Sequence, residues 1–92
     1  MDIEVQTELV AGLPAKVVRG NEYDRIQIDG KTIAYVVPSK RAGGVKLDFP
    51  TPKTIPAKFK TKAMTVRGNR ATFLVDGKNV TKGRELLEWL VT

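Results

Sequence analysis

Apolar and polar residues alternate through several stretches of this chain, and the period changes to a helical one towards its two ends. From Tyr23 to Asp29, Ile26 and Ile28 alternate with Arg25, Gln27 and Asp29, the period of a strand with one buried face. Lys31 to Val37 returns as a second strand and stops at Pro38. Between them stands Asp29-Gly30, a pair favoured in type I′ two-residue hairpins because both central residues take positive φ. Val45, Leu47 and Phe49 alternate with Lys46 and Asp48 to give a later strand, and Lys16-Val17-Val18-Arg19, before the turn-forming Gly20-Asn21, gives an earlier one. Met64-Thr65-Val66-Arg67 and Ala71-Thr72-Phe73-Leu74-Val75 flank Gly68-Asn69, whose glycine-first order suits a type II′ turn.

At the amino-terminal end the period is ambiguous. Ile3-Glu4-Val5-Gln6 alternates like a strand, while Ile3, Gln6, Val10 and Leu13, with Leu9 beside them, share a helical face. Gly12 followed by Pro14 is a helix-stop arrangement, so the spacing favours a short helix. At the other end Leu86, Leu87 and Leu90 form a helical stripe with Trp89 and Val91 at its edge, and Thr81 is the expected N-cap.

The middle is less regular. Pro50, Pro52 and Pro56 exclude a helix or central strand, because proline lacks the donor that either needs, and they predict an extended crossing. In Lys58-Phe59-Lys60-Thr61-Lys62 the lysines recur at period two, which predicts an extended segment with the lysines on one face and Phe59 on the other. Met64 and Val66 break that parity and call for a bulge or restart near Ala63. The element order α-β-β-β-β-(Pro loop)-β-β-α predicts an α+β fold. Five to six antiparallel strands form hairpins, with the terminal helices packed on one face and the other face partly open.

A length of 92 residues corresponds to one small domain with a modest stability margin. With no cysteine, disulfides, thiolate metal sites and cysteine nucleophiles are all excluded; with no histidine, so is the commonest general acid–base. Ser39 beside Lys40 has the composition of a Ser-Lys pair, yet adjacent residues in a Gly-rich loop lack rigid geometry for nucleophilic catalysis. Asp29 and Asp76 each precede glycine in turns, where local hydrogen bonds account for them, and Asp24 and Asp48 sit among bases as cross-strand partners. No metal site and no enzyme are expected. Gly43-Gly44 and Gly68 belong to no phosphate-loop pattern, so no cofactor is expected either. Acidic residues in Met1-Asp2-Ile3-Glu4 and the lack of a long apolar run predict a cytoplasmic, non-membrane protein. In that compartment Asn79-Val80-Thr81 is no glycosylation site.

Charge adds a functional expectation. Between Lys40 and Arg70 lie nine bases and one acid, a net +8, while the remainder carries −2 of the overall +6. A surface of one sign concentrates ligands of the other. Lys40, Arg41, Lys46, Lys53, Lys58, Lys60, Lys62, Arg67 and Arg70 are therefore candidate nucleic-acid-binding residues, contacting mainly phosphates because no base-reading motif accompanies them. Tyr23, Tyr35, Phe49, Phe59 and Phe73 can stack bases only where the sheet exposes them; at alternating spacing beside Ile and Val, most are expected in the core. The alternative is a small regulator or inhibitor that docks an acidic protein or an edge-strand partner.

Asp29-Gly30-Lys31-Thr32-Ile33-Ala34-Tyr35, followed by Gly43-Gly44-Val45-Lys46-Leu47, resembles a stretch of small bacterial domains of the YdhG and MmcQ/YjbR kind. The resemblance implies an N-terminal helix, an antiparallel sheet, C-terminal helical cover and a binding module. The Pro-rich crossing and the single C-terminal helix depart from that pattern, and no functional residue carries over.

Overall fold

Six antiparallel strands form one sheet, in the order β1-β2-β3-β4-β6-β5, with a helix at each end of the chain. The computed structural model describes residues 3–39, 44–50 and 54–91. In chain order the elements are α1 (Ile3–Val10), β1 (Lys16–Val18), β2 (Asp24–Ile28), β3 (Lys31–Pro38) and β4 (Gly44–Pro50). A 3-10 turn (Ala57–Phe59), β5 (Met64–Arg67), β6 (Arg70–Asp76) and α2 (Val80–Val91) follow. This is the α+β order that the hydrophobic pattern predicts, with the ambiguous first segment resolved as helix.

The alternation settles which face is buried. Ile26, Ala34, Val36, Val45, Leu47, Phe49, Ala71, Phe73 and Val75 all point to one side, where Val5 and Leu9 of α1 and Val80, Leu86 and Leu87 of α2 close over them. α1 ends at Val10, with Gly12 at φ 78°. Gly83 of α2 is buried where the helix approaches Leu9 and Val75; there a side chain would meet the Leu9 Cδ2 at 2.8 Å. Leu90 and Trp89 are partly buried and pack at the edge of this core.

Both hairpins have the turns expected. Asp29 and Gly30 have φ of 52° and 78° between the paired Ile28 and Lys31, and Gly68 has φ 60° between the paired Arg67 and Arg70. Nothing lies within 4 Å of where a Cβ would sit on Gly30 or Gly68. A side chain there meets no clash, only the left-handed backbone penalty. Gly30→Val and Gly68→Val should each lower stability by about 1–2 kcal/mol in chemical denaturation. A cost near zero at both would mean that these turns do not hold positive φ. One irregularity escaped the pattern: the register shifts between Ile26/Gln27 opposite Ile33, which is left as a bulge in β3.

The link from β4 to β5 departs from the sequence expectation. Pro50 ends β4 opposite Arg70, beyond the last β3 partner of that strand, Asp48, so its missing donor costs no pairing. Pro52 lies outside the described residues. Lys58–Lys62 do not form an extended segment. Phe59 donates to the Pro56 carbonyl and Lys60 to that of Ala57, which closes the 3-10 turn. The backbone satisfies itself locally because none of the described strands pairs with it, and the turn drives Phe59 to full burial beside Trp89, at a ring separation of 6.2 Å. The chain restarts at Thr61–Ala63, as the broken parity requires, and β5 begins at Met64.

α2 starts two residues earlier than a Thr81 cap would place it. Asp76 Oδ1 accepts from the Lys78 and Asn79 amides, Asn79 Nδ2 donates to the Leu74 carbonyl, and the Asn79 carbonyl accepts from Gly83. That turn starts the helix at Val80, and Thr81 is an exposed residue of its first turn rather than the cap.

A buried polar cluster ties α1 to the sheet. Asp24 is 3% exposed and accepts from Gln6 Nε2 at 2.9 Å, Arg19 at 2.9 Å and the Gly20 amide at 3.0 Å, while Arg19 also donates to Gln6 Oε1 at 2.8 Å. Burial alone would raise the carboxyl pKa, but the Gly20 amide, the Gln6 amide and the Arg19 guanidinium outweigh it and hold Asp24 below the ordinary 3.8. Its charged-state stabilisation is therefore complete above the unfolded pKa and disappears as pH falls through the lowered folded value. Asp24→Ala should cost about 2–3 kcal/mol at neutral pH, since it removes a buried acceptor of the Gln6 and Gly20 amides and a charge-assisted pair with Arg19. The gap to wild type should narrow below pH ~4. Urea unfolding of both proteins from pH 7 to pH 3 measures it; a pH-independent gap would contradict the lowered pKa.

Candidate functional site

Among the described residues nothing covers the sheet face turned away from the helices, and the registers show which residues share it. Val18, Arg25, Tyr35, Asp48, Thr72 and Thr65 are successive partners across β1, β2, β3, β4, β6 and β5, so they form one row across the whole sheet. A shorter row beside it runs Val37, Lys46, Leu74, and the paired Arg67 and Arg70 close the far end. Lys16, opposite Gln27, belongs to the same face. The cations of this face are thus Lys16, Arg25, Lys46, Arg67 and Arg70, with Asp48 among them. Asp76, at the end of β6, turns its carboxylate back to the amides of Lys78 and Asn79.

Arg70 is the best positioned of these groups. Its Nε and Nη2 donate to Asp48 Oδ1 at 3.1 and 2.9 Å, and its guanidinium carbon lies 5.8 Å from the Tyr35 ring centre. Tyr35 meets Tyr23 edge to face, with centroids 5.2 Å apart and planes at 82°, and Arg25 lies 5.9 Å from the Tyr23 ring. Tyr23 is 37% exposed, so the pair is reachable from solvent. Beside it an open concavity of about 940 Å³ is floored by Lys46, Asp48, Thr72 and Leu74, between Val37–Ser39 on one side and Arg67–Arg70 on the other.

The sequence candidates therefore separate into three groups. Lys46, Arg67 and Arg70 are brought together on the open face. Lys58, Lys60 and Lys62 are exposed, in and just after the turn that packs Phe59 against Trp89, and none of them lies on a strand of the open face. There the Lys58 carbonyl accepts from Lys82 Nζ at 3.2 Å, and the Lys58 ammonium lies 5.0 Å from the Phe59 ring. Lys40, Arg41 and Lys53 lie outside the described residues. Of the aromatic candidates, Phe49, Phe59 and Phe73 are fully buried, and the two tyrosines stand on the open face.

Lys16 and Arg25 were not among the sequence candidates, because they lie outside the charge-rich middle third. The signal was present in the alternation of Arg25 against Ile26, which places the arginine opposite the core. The carboxylates are engaged as their positions suggested: Asp48 pairs across strands with Arg70, Asp24 pairs with Arg19, and Asp76 holds a turn. Among the described residues no three metal-ligating side chains lie together. No helix among them is long and apolar enough to cross a membrane.

The fold and this face define an α+β protein with a six-stranded antiparallel sheet, covered on one side and basic and partly aromatic on the other. No family model, curated protein or solved structure matches the chain.

Proposed function

We propose that this protein binds nucleic acid on the open face of its sheet, with Lys46, Arg67 and Arg70 contacting phosphates. The observation that carries the reading is the convergence of these cations, with Arg25 and Lys16, on one uncovered face whose strand residues offer Asp48 as the opposing charge. Phosphate contacts from lysine and arginine on a fixed sheet supply affinity without sequence preference, because each contact releases condensed counterions and reads no base edge. Binding to generic oligonucleotides should weaken with salt, log K falling against log salt by about 0.7–0.9 per phosphate contact. Fluorescence anisotropy between low and moderate ionic strength measures the slope. Absence of salt-sensitive binding at low ionic strength refutes the reading.

A second reading rests on β5. It is an edge strand of the sheet, and Val66 on it is 49% exposed, so a partner's extended segment has a strand to pair with. Protection of the Met64–Arg67 amides by a protein partner, with the open face unperturbed, would favour it.

A further inference from the structure

We infer that the open face takes single-stranded nucleic acid, with unpaired bases stacking on Tyr23 and Tyr35; this deepens, and rests on, the nucleic-acid reading above. Two observations separate a single strand from a duplex. The first is shape. The row from Arg25 to Thr65 crosses four strand spacings, about 19 Å of sheet, whereas a duplex major groove is only ~12 Å wide and admits a helix or a two-stranded ribbon. A splayed strand can instead lie across the sheet, backbone towards the cations and bases towards the rings. The second is the placement of the tyrosines. They are the two aromatic residues on the open face, they brace each other edge to face, and Arg25 and Arg70 flank them at 5.9 and 5.8 Å. Those distances sit near the outer limit of a cation–π contact, so the guanidiniums flank the rings without sealing them. A base that displaces a flanking guanidinium leaves it free to meet the adjoining phosphate. Cations beside exposed rings are the combination by which sequence-tolerant single-strand binders hold a strand.

An acidic protein segment would use the cations equally well, but it has no need of stacking rings. The test compares oligo(dT) and oligo(U) 12-mers, a duplex of equal length and poly-glutamate, each titrated against wild type, Tyr23→Leu, Tyr35→Leu and Tyr35→Phe. Single strands should bind more tightly than the duplex. Each leucine variant should weaken them about fivefold or more, as loss of a stacked base does, with the salt slope unchanged because a stacked ring releases no counterion. Tyr35→Phe should retain affinity, and tyrosine emission should be quenched on binding. The dT and U arms separate DNA from RNA. Tyr23→Leu lies before β2 and keeps the test decisive should Tyr35→Leu fold poorly. Equal binding of duplex and single strand, with the leucine variants unchanged, overturns this inference and leaves phosphate binding standing. Poly-glutamate competing as well as the oligonucleotides overturns it in favour of an acidic protein. No salt-sensitive binding to any nucleic acid overturns both readings.

Discussion

Phe59→Ala should lower the free energy of unfolding by about 3–5 kcal/mol, the cost of emptying a fully buried phenylalanine site. Phe59 is the fully buried residue of the described part of the β4–β5 link. With Ile55 it belongs to the buried core, and its ring meets that of Trp89 on α2. A domain of this length has on the order of 5–14 kcal/mol of stability in total, so the variant should lose a large share of it and unfold at a markedly lower urea concentration than wild type. Phe59→Leu keeps most of the volume and should lose about 1.5 kcal/mol or less. Trp89 is the sole tryptophan, so its fluorescence during urea unfolding reads this contact directly. An alanine variant as stable as wild type would show that the turn does not pack against α2.

The second large effect concerns the open face. Replacing Lys46, Arg67 and Arg70 together by alanine should make the salt dependence of binding shallower by roughly 2–3 units of slope, one contact being lost with each cation. Binding at moderate salt should fall about equally for unrelated sequences, since no base edge is read. Stability should change little. Arg70 and Asp48 form a partly exposed pair, and such pairs contribute roughly 1 kcal/mol at most. Changing Lys58, Lys60 and Lys62 together should have the smaller effect, because those lysines lie outside the strands that form the open face. A triple open-face variant with an unchanged slope, beside a 58/60/62 variant with a reduced one, would transfer the interface to the lysine turn.

Those two basic regions also show where sequence reasoning reached its limit. Period-two alternation is a local property, and it identified the strands and their buried faces, while the Asp29-Gly30 and Gly68-Asn69 pairs, equally local, gave both hairpin turns down to the sign of φ at Asp29, Gly30 and Gly68. The same rule misread Lys58–Lys62. Phe59 needed burial, and a 3-10 turn after Pro56 achieved it with backbone hydrogen bonds a strand would have lacked. Helix existence was legible from the leucine stripe, while its start depended on the side chains of Asp76 and Asn79, which hold the preceding turn.

The site was half legible for a related reason. Net charge pointed to the middle third of the chain, and Lys46, Arg67 and Arg70 lie there. Strand order is not a local property, and nothing in the pattern says that β6 inserts between β4 and β5. Only that order brings Arg70 beside Asp48 and Tyr35. It also places Arg25, from outside the basic segment, in one row with Tyr35 and Thr72. The Gln6–Arg19–Asp24 cluster was hidden likewise, since Gln6 reads as one more position on a helical face until α1 is set against β2.

The most direct test of the open-face interface is an amide chemical-shift map of the labelled protein titrated with a 12-mer oligo(dT) at low ionic strength. Shifts should concentrate at Arg25, Tyr35, Lys46, Thr72, Arg67 and Arg70, with α1 and α2 unmoved and the perturbations reversed by added salt. Shifts confined to Lys58–Lys62 and α2, or none at all, would contradict an interface on the open sheet face.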